Sequence, residues 1–239
     1  MEPPIELEID PRVSAAPSRR RTPLGEWAAI AIAALALVAG TAAGLLPFSP
    51  LEVFGFATGG ACVWLLVRED VASWPIGLAN NLTYLVIFFR ARLFADAGLQ
   101  LVFFAVGVWG WYHWVFRRGA RRELAVTRAT RNEWLALLLA APVATWLLRE
   151  LLIAAQGAAP FWDALTTVVS LGALALQAGK RIDNWLWWIA ADLVYVPLYL
   201  WRGLPLTALL YAVFLAMCVV GWRQWRASLA AAQAERRAR

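Results

Sequence analysis

Long apolar runs separated by short polar breaks dominate the chain, with mostly apolar windows at about 24–46, 50–67, 72–89, 94–116, 133–153, 161–178, 185–201 and 204–225. A helix that crosses a bilayer needs roughly 20 apolar residues. The pattern therefore predicts an all-α, polytopic transmembrane bundle of eight spans, since such windows are too long for the roughly ten-residue alternating strands of a barrel. Composition agrees: 62% of the residues are hydrophobic and 16% charged, with a mean hydropathy of +0.60. Soluble domains hold only about 45–50% apolar residues.

Two of the windows are copies. At a constant offset of 111 residues and without a gap, Trp74/Trp185, Ala79/Ala190, Leu82/Leu193, Tyr84/Tyr195, Leu93/Leu204, Phe103/Phe214, Gly110/Gly221, Trp111/Trp222 and Trp114/Trp225 are identical. Glu52/Asp163 extends the correspondence, and Glu133-Trp134 echoes Glu26-Trp27 more weakly. An even number of spans separates the copies, so they point the same way through the membrane, related by an axis along its normal. The predicted organisation is a tail (1–22), an extra N-terminal helix (23–46), a three-helix bundle (50–116), a basic loop with an inverting linker helix (117–154), a second three-helix bundle (161–226) and a tail (227–239).

The net charge of +6 does not mark a nucleic-acid face, because the basic residues sit between apolar spans. They report orientation instead. With the N-terminus inside, 18 of the 22 Lys/Arg fall on the inner side and four (Arg90, Arg92, Arg149, Arg202) on the outer. Both termini are then cytoplasmic. The first 22 residues carry acids, prolines and Arg19-Arg20-Arg21, which predicts a disordered tail whose arginines meet anionic lipid head groups. No cleavable signal peptide is apparent.

Polar residues inside the spans are the candidate chemistry. In the seventh window Trp185, Trp188, Asp192, Tyr195 and Tyr199 recur at i, i+3, i+7, i+10 and i+14, one face of a helix. A carboxylate so placed costs about 2.5–3.5 kcal/mol unless it meets a cavity or partner. The matching face of the third window is Trp74, Gly77, Asn81, Tyr84 and Phe88, with Asn80 beside it; Asp96 and Gln100 lie on the fourth window, opposite Thr207 and Tyr211 on the eighth. Indoles, phenols, amides and a carboxylate suit a planar heteroaromatic ring bearing hydroxyls. Trp188 and Asp192 against Gly77 and Asn81 put the main determinants in the second copy.

Simpler roles suit the other polar and aromatic positions. Trp27, Trp111, Trp114, Trp134, Trp222 and Trp225 at span ends read as an interfacial belt. His113 reads as packing, Glu52 and Asp163 as partners of helix dipoles, and Cys62 and Cys218 as small packing residues. The Asn81-Leu82-Thr83 sequon is buried in a span. No phosphate-cradling loop, metal spacing or nucleophile–base pair is present, so neither an enzyme nor a cofactor is expected.

Trp74-Pro-Ile-Gly-Leu-Ala-Asn-Asn, Leu99-Gln100, Gly110-Trp-Tyr-His-Trp114 and Trp185-Leu-Trp-Trp-Ile-Ala-Ala-Asp192 together resemble the bacterial PnuC-type vitamin transporters over about residues 50–226. The resemblance implies a SWEET-like three-plus-one-plus-three repeat, here with an extra N-terminal helix, in the bacterial inner membrane. It also implies facilitated uptake of a vitamin precursor, made one-way by a cytoplasmic kinase, and a homotrimer. The pattern of Trp185, Trp188 and Asp192 is similar to that of nicotinamide riboside carriers; riboflavin and thiamine are the alternatives, and a non-transporting scaffold or sensor is the other class. Nicotinamide riboside is thus the expected substrate, stacked by Trp185 and Trp188, with Asp192, Asn81 and Gln100 bonding ribose or carboxamide and Asn80, Tyr84, Tyr195 and Tyr211 completing the wall. Pro197 has Val86 as its counterpart, so the two halves are not hinged alike.

Overall fold

The computed structural model describes residues 22–45, 49–90, 94–116, 124–156, 159–201 and 205–237. The expected tail over residues 1–21 and most of the basic loop, residues 117–123, lie outside the described residues. Among the described residues eight helices follow in order: α1 (Leu24–Ala42), α2 (Pro50–Val67), α3 (Ser73–Arg90), α4 (Phe94–Phe116), α5 (Arg131–Ala154), α6 (Pro160–Ala178), α7 (Asn184–Trp201) and α8 (Pro205–Arg237).

Their starts are written locally. Ser49 caps α2 and Thr130 caps α5, each in a capping box with Glu52 or Glu133, which satisfies two otherwise orphaned backbone donors reciprocally. Glu52 therefore does more than meet the helix dipole. Pro50 and Pro160 occupy first-turn positions where a missing N–H costs nothing.

Packing closes six helices into a ring. α2 packs on α3, α3 on α4, α4 on α6, α6 on α7, α7 on α8 and α8 back on α2, while α1 lies against α2 and α5 against α6. The two seams between the halves, α4 with α6 and α8 with α2, are equivalent under the repeat. α3 and α7 stand on opposite sides of the ring.

Among the described residues, α1, α2, α4, α5, α6 and α8 are long and apolar enough to cross a membrane. α3 and α7 fall short, because they carry the polar face turned into the ring. Their outer faces remain apolar, with the repeat partners Leu82 and Leu193 exposed.

Two boundaries differ from expectation. α8 runs to Arg237 through the segment expected as a tail, because alanine-rich sequence favours helix and Leu229 is buried in the core. α1, expected as an extra helix outside the repeat, occupies the place on α2 that α5 occupies on α6. Glu26 accepts from Trp64 Nε1 at 2.8 Å and pairs with Arg68 Nε at 3.2 Å. Glu133 accepts from Arg181 Nε and a terminal guanidinium nitrogen at 3.1 and 2.9 Å. The segments leading into them dock alike: the Thr22 amide donates to Asp70 Oδ2 at 3.0 Å and the Ala129 amide to Asp183 Oδ2 at 2.6 Å. By packing, each half holds four helices.

Candidate functional site

The ring interior is layered, and the first layer closes it at the end that carries Arg68, Lys180 and Arg181, here termed the basic end. Trp114 Nε1 donates across one seam to the Gln177 carbonyl at 3.0 Å, and Trp225 Nε1 across the other to the Leu66 carbonyl at 3.1 Å. Donor and acceptor in one bond are the repeat counterparts of those in the other. Trp74 meets Trp114 edge-on at 5.5 Å, as Trp185 meets Trp225 at 5.5 Å, and Trp114 and Trp225 meet at 6.0 Å with their planes tilted by 45°. Such rings approach only because Gly110 and Gly221 lack a side chain; a Cβ at either would collide with Trp74 or Trp185. Trp114 and Trp225, expected in an interfacial belt, are instead buried. Their position near a helix end gave the belt reading, and a partner half across the seam overturned it. Trp111 is exposed as a belt residue should be, and Trp27, Trp134 and Trp222 are half-buried.

An ion pair lies beside this layer. Lys180 Nζ is 2.9 Å from Glu69 Oε2, both side chains are about nine-tenths buried, and the ammonium stands 5.0 Å over the Trp114 ring. Glu69 and Lys180 are themselves repeat counterparts, so the pair joins the halves across their pseudo-two-fold axis.

The middle layer holds Trp188 and Asp192. The indole N–H of half-buried Trp188 donates to Gln177 Oε1 at 3.1 Å. Asp192 is buried and accepts from Cys218 Sγ at 3.6 Å. The counterpart of Cys218 is Gly107, and Asn81, the counterpart of Asp192, has no hydrogen-bond partner among the described residues. Gln100, half-buried on α4, likewise has none among them. Gly77, the counterpart of Trp188, faces Cys62 Sγ of α2.

Phenols form the third layer. Tyr195, Tyr199 and Tyr211 pack together with ring centroids 4.5–5.7 Å apart, and Tyr211 meets Phe214 at 5.8 Å. The Tyr195 hydroxyl lies within electrostatic range of Thr166 and Ser170 of α6. Tyr84 leans on Gly55 of α2, within electrostatic range of Tyr199 and Tyr211. Four of the chain's five tyrosines thus gather from both halves.

Of the residues expected at a site, Trp188, Asp192, Asn81, Gln100, Tyr84, Tyr195 and Tyr211 keep to this interior. Two differ in setting. Trp185 is fully buried within the tryptophan layer, and Asn80 spends its amide hydrogens on α2, donating to the Gly55 carbonyl at 2.6 Å and Thr58 Oγ1 at 3.0 Å. The side chains of Asp96 and Thr207 lie outside the described ones. His113 packs on Trp109 at 4.9 Å, in keeping with a packing residue. Gln177, Glu69 and Lys180 were missed, because each sits at a span boundary where a polar residue is unremarked; their shared offset of 111 for Glu69 and Lys180 was the available signal.

Residues 49–227 match the family described as Nicotinamide mononucleotide transporter. The chain belongs to that family. It is a multi-pass membrane transporter and not an enzyme. It is 28% identical over 212 residues to the nicotinamide riboside transporter PnuC of Escherichia coli, covering 77% of this chain and 87% of that one. The riboflavin/roseoflavin transporter RibM of Streptomyces davaonensis is 30% identical over 180 residues, covering 73% and 83%. A crystal structure of the vitamin B3 transporter PnuC shares the fold, with a TM-score of 0.65 and 24% identity over 84% of this chain and 91% of that one. The family match begins after α1.

Proposed function

We propose that the chain is a facilitative transporter of nicotinamide riboside that works by alternating access, in a bacterial inner membrane with both termini and the basic end cytoplasmic. The observation that carries the substrate is the middle layer: an indole held by a buried amide and a buried carboxylate two turns in, on the ring opposite α3 with its unpartnered Asn81. A pyridinium over Trp188 gains about 0.5–2 kcal/mol of cation–π attraction, and Asp192 supplies the compensating negative charge. Asn81 and Gln100 bond the ribose or carboxamide. Trp185 forms the floor beneath, Asn80 fixes the wall at α2, and Tyr84, Tyr195 and Tyr211 close the far side.

Accumulation on this reading follows from phosphorylation of the substrate by a cytoplasmic kinase. Proteoliposomes loaded with unlabelled nicotinamide riboside should exchange it for labelled substrate. Neither a proton nor a sodium gradient should concentrate it in empty vesicles. Binding without exchange would make the chain a sensor, and gradient-driven accumulation would make it a coupled carrier.

Riboflavin is the second reading, favoured by the 30% identity to RibM. A flavin is neutral and larger than a pyridinium, so it gains nothing from the charge of Asp192. Parallel titrations with nicotinamide riboside, riboflavin and thiamine decide between them.

A further inference from the structure

Gln177 lies at the end of α6, is 5% exposed, and does two things at once. Its carbonyl accepts the Trp114 indole from the other half at 3.0 Å, and its side-chain Oε1 accepts the Trp188 indole at 3.1 Å. The repeat separates these two functions. The counterpart of Gln177 is Leu66, whose carbonyl accepts the Trp225 indole at 3.1 Å. The backbone bond is therefore present in both halves, with or without an amide side chain, and belongs to the closure of the seam.

Among the described residues the side-chain bond occurs once. Where Gln177 stands, the ring it holds is Trp188; where Leu66 stands, the corresponding position is Gly77 and there is no ring to hold. An amide buried at a helix end is costly unless its oxygen finds a donor, and here that donor is the indole. An indole N–H offers one direction only, so fixing that atom leaves the ring free to turn only about the bond. The covalent tether at Cβ removes that remaining turn, so the half-buried face of Trp188 is set in one plane on the helix that carries Asp192.

We propose that Gln177 is the positioning residue for substrate binding: it orients the Trp188 ring and, through its own backbone, ties that orientation to the Trp114 seam. The proposal rests on the reading of Trp188 as a substrate-stacking residue. When the seam at the basic end parts, the α6 terminus that carries both bonds shifts, and the ring shifts with it. Site geometry and gate position are then coupled through one residue.

The test replaces Gln177→Met, which keeps length and flexibility but offers no oxygen, in the full chain in detergent. Affinity for nicotinamide riboside should fall about five- to tenfold, the weight of one lost hydrogen bond. In a Trp188→Phe background the same replacement should change affinity by less than about twofold, because no indole remains to be held; an equal loss in both backgrounds overturns the proposal. A second readout needs no substrate. In protein labelled with 5-fluorotryptophan, with resonances assigned by Trp188→Phe and Trp114→Phe, Gln177→Met should shift or broaden the Trp188 signal and leave that of Trp114 in place. An unmoved Trp188 signal overturns the proposal. Wild-type protein that does not bind nicotinamide riboside refutes the substrate reading, while the fluorine spectrum still decides the role of Gln177.

Discussion

Asp192 is the residue on which the substrate chemistry turns most sharply. It is buried on α7 with one weak donor among the described residues, Cys218 Sγ at 3.6 Å. A thiol satisfies a carboxylate poorly, so Asp192 contributes little to holding α7 on α8 and retains acceptor capacity for a ligand. Hydrogen bonds to charged groups are worth about 1.5–3 kcal/mol. Asp192→Ala should therefore weaken nicotinamide riboside binding about ten- to a hundredfold while the folded yield by size-exclusion chromatography stays near that of the wild type; equal losses in both would make it a structural residue. Trp225 is the opposite case. Its ring is fully buried and its N–H serves Leu66 across the seam, so Trp225→Phe should lower the melting temperature in detergent by several degrees, at about 1–2 kcal/mol for the bond and lost volume. Trp111→Phe, at an exposed ring, should leave it within about a degree. Helical spacing in the sequence identified the inward face that carries Trp188, Asp192 and Asn81. It could not tell which neighbour each side chain meets, because periodicity orients a helix about its own axis and says nothing of what stands across from it. Trp114 and Trp225 show the consequence: shared between the copies, they belong to a seam and not to a belt.

Among the elements, helix positions were legible and helix partners were not. Seven of the eight windows lie close to their helices because apolar length, capping residues and prolines are local signals. The exception is α8, whose apolar window ends at Trp225 while alanine and leucine carry the helix on to Arg237, through the segment expected as a tail. Leu229 makes this more than a fraying end, since it packs in the cluster with Trp114, Trp185 and Trp225. Truncation of residues 227–239 should lower the melting temperature as a buried Leu→Ala change does, by about 2–5 kcal/mol of stability. Truncation of 233–239 should not; equal melting of the two truncated proteins would show that Leu229 contributes nothing. The likeness of α1 and α5 was hinted at by Glu26-Trp27 and Glu133-Trp134, yet it is long-range ion pairing with Arg68 and Arg181 that gives the echo its meaning.

At the scale of the whole molecule, the two halves meet through residues that the repeat places opposite one another, and Glu69 with Lys180 is the pair that breaks the symmetry in charge. Both follow helix C-termini with the same hydrogen bonds: Glu69 and Asp70 amides reach back to Leu66 and Leu65, as Lys180 and Arg181 amides do to Gln177 and Leu176. Glycine is the usual occupant of the left-handed position in such a turn. Here φ is 59° at Glu69 and 52° at Lys180, a conformation that costs about 1–2 kcal/mol for each non-glycine residue. The ion pair offsets that strain by bridging the halves at the basic end. Under the proposed mechanism it must separate whenever that end opens, so it weights the equilibrium toward closure. Glu69→Lys or Lys180→Glu alone buries two like charges and should open the basic end. In a Cys62→Ala background, alkylation of Cys218, buried beside Asp192, should then quicken severalfold. The double exchange should bring the rate back to within about twofold of the starting protein, since the pseudo-two-fold axis lets the ammonium meet Trp225 in place of Trp114. Unchanged alkylation in both single variants would show that the pair does not hold the basic end shut.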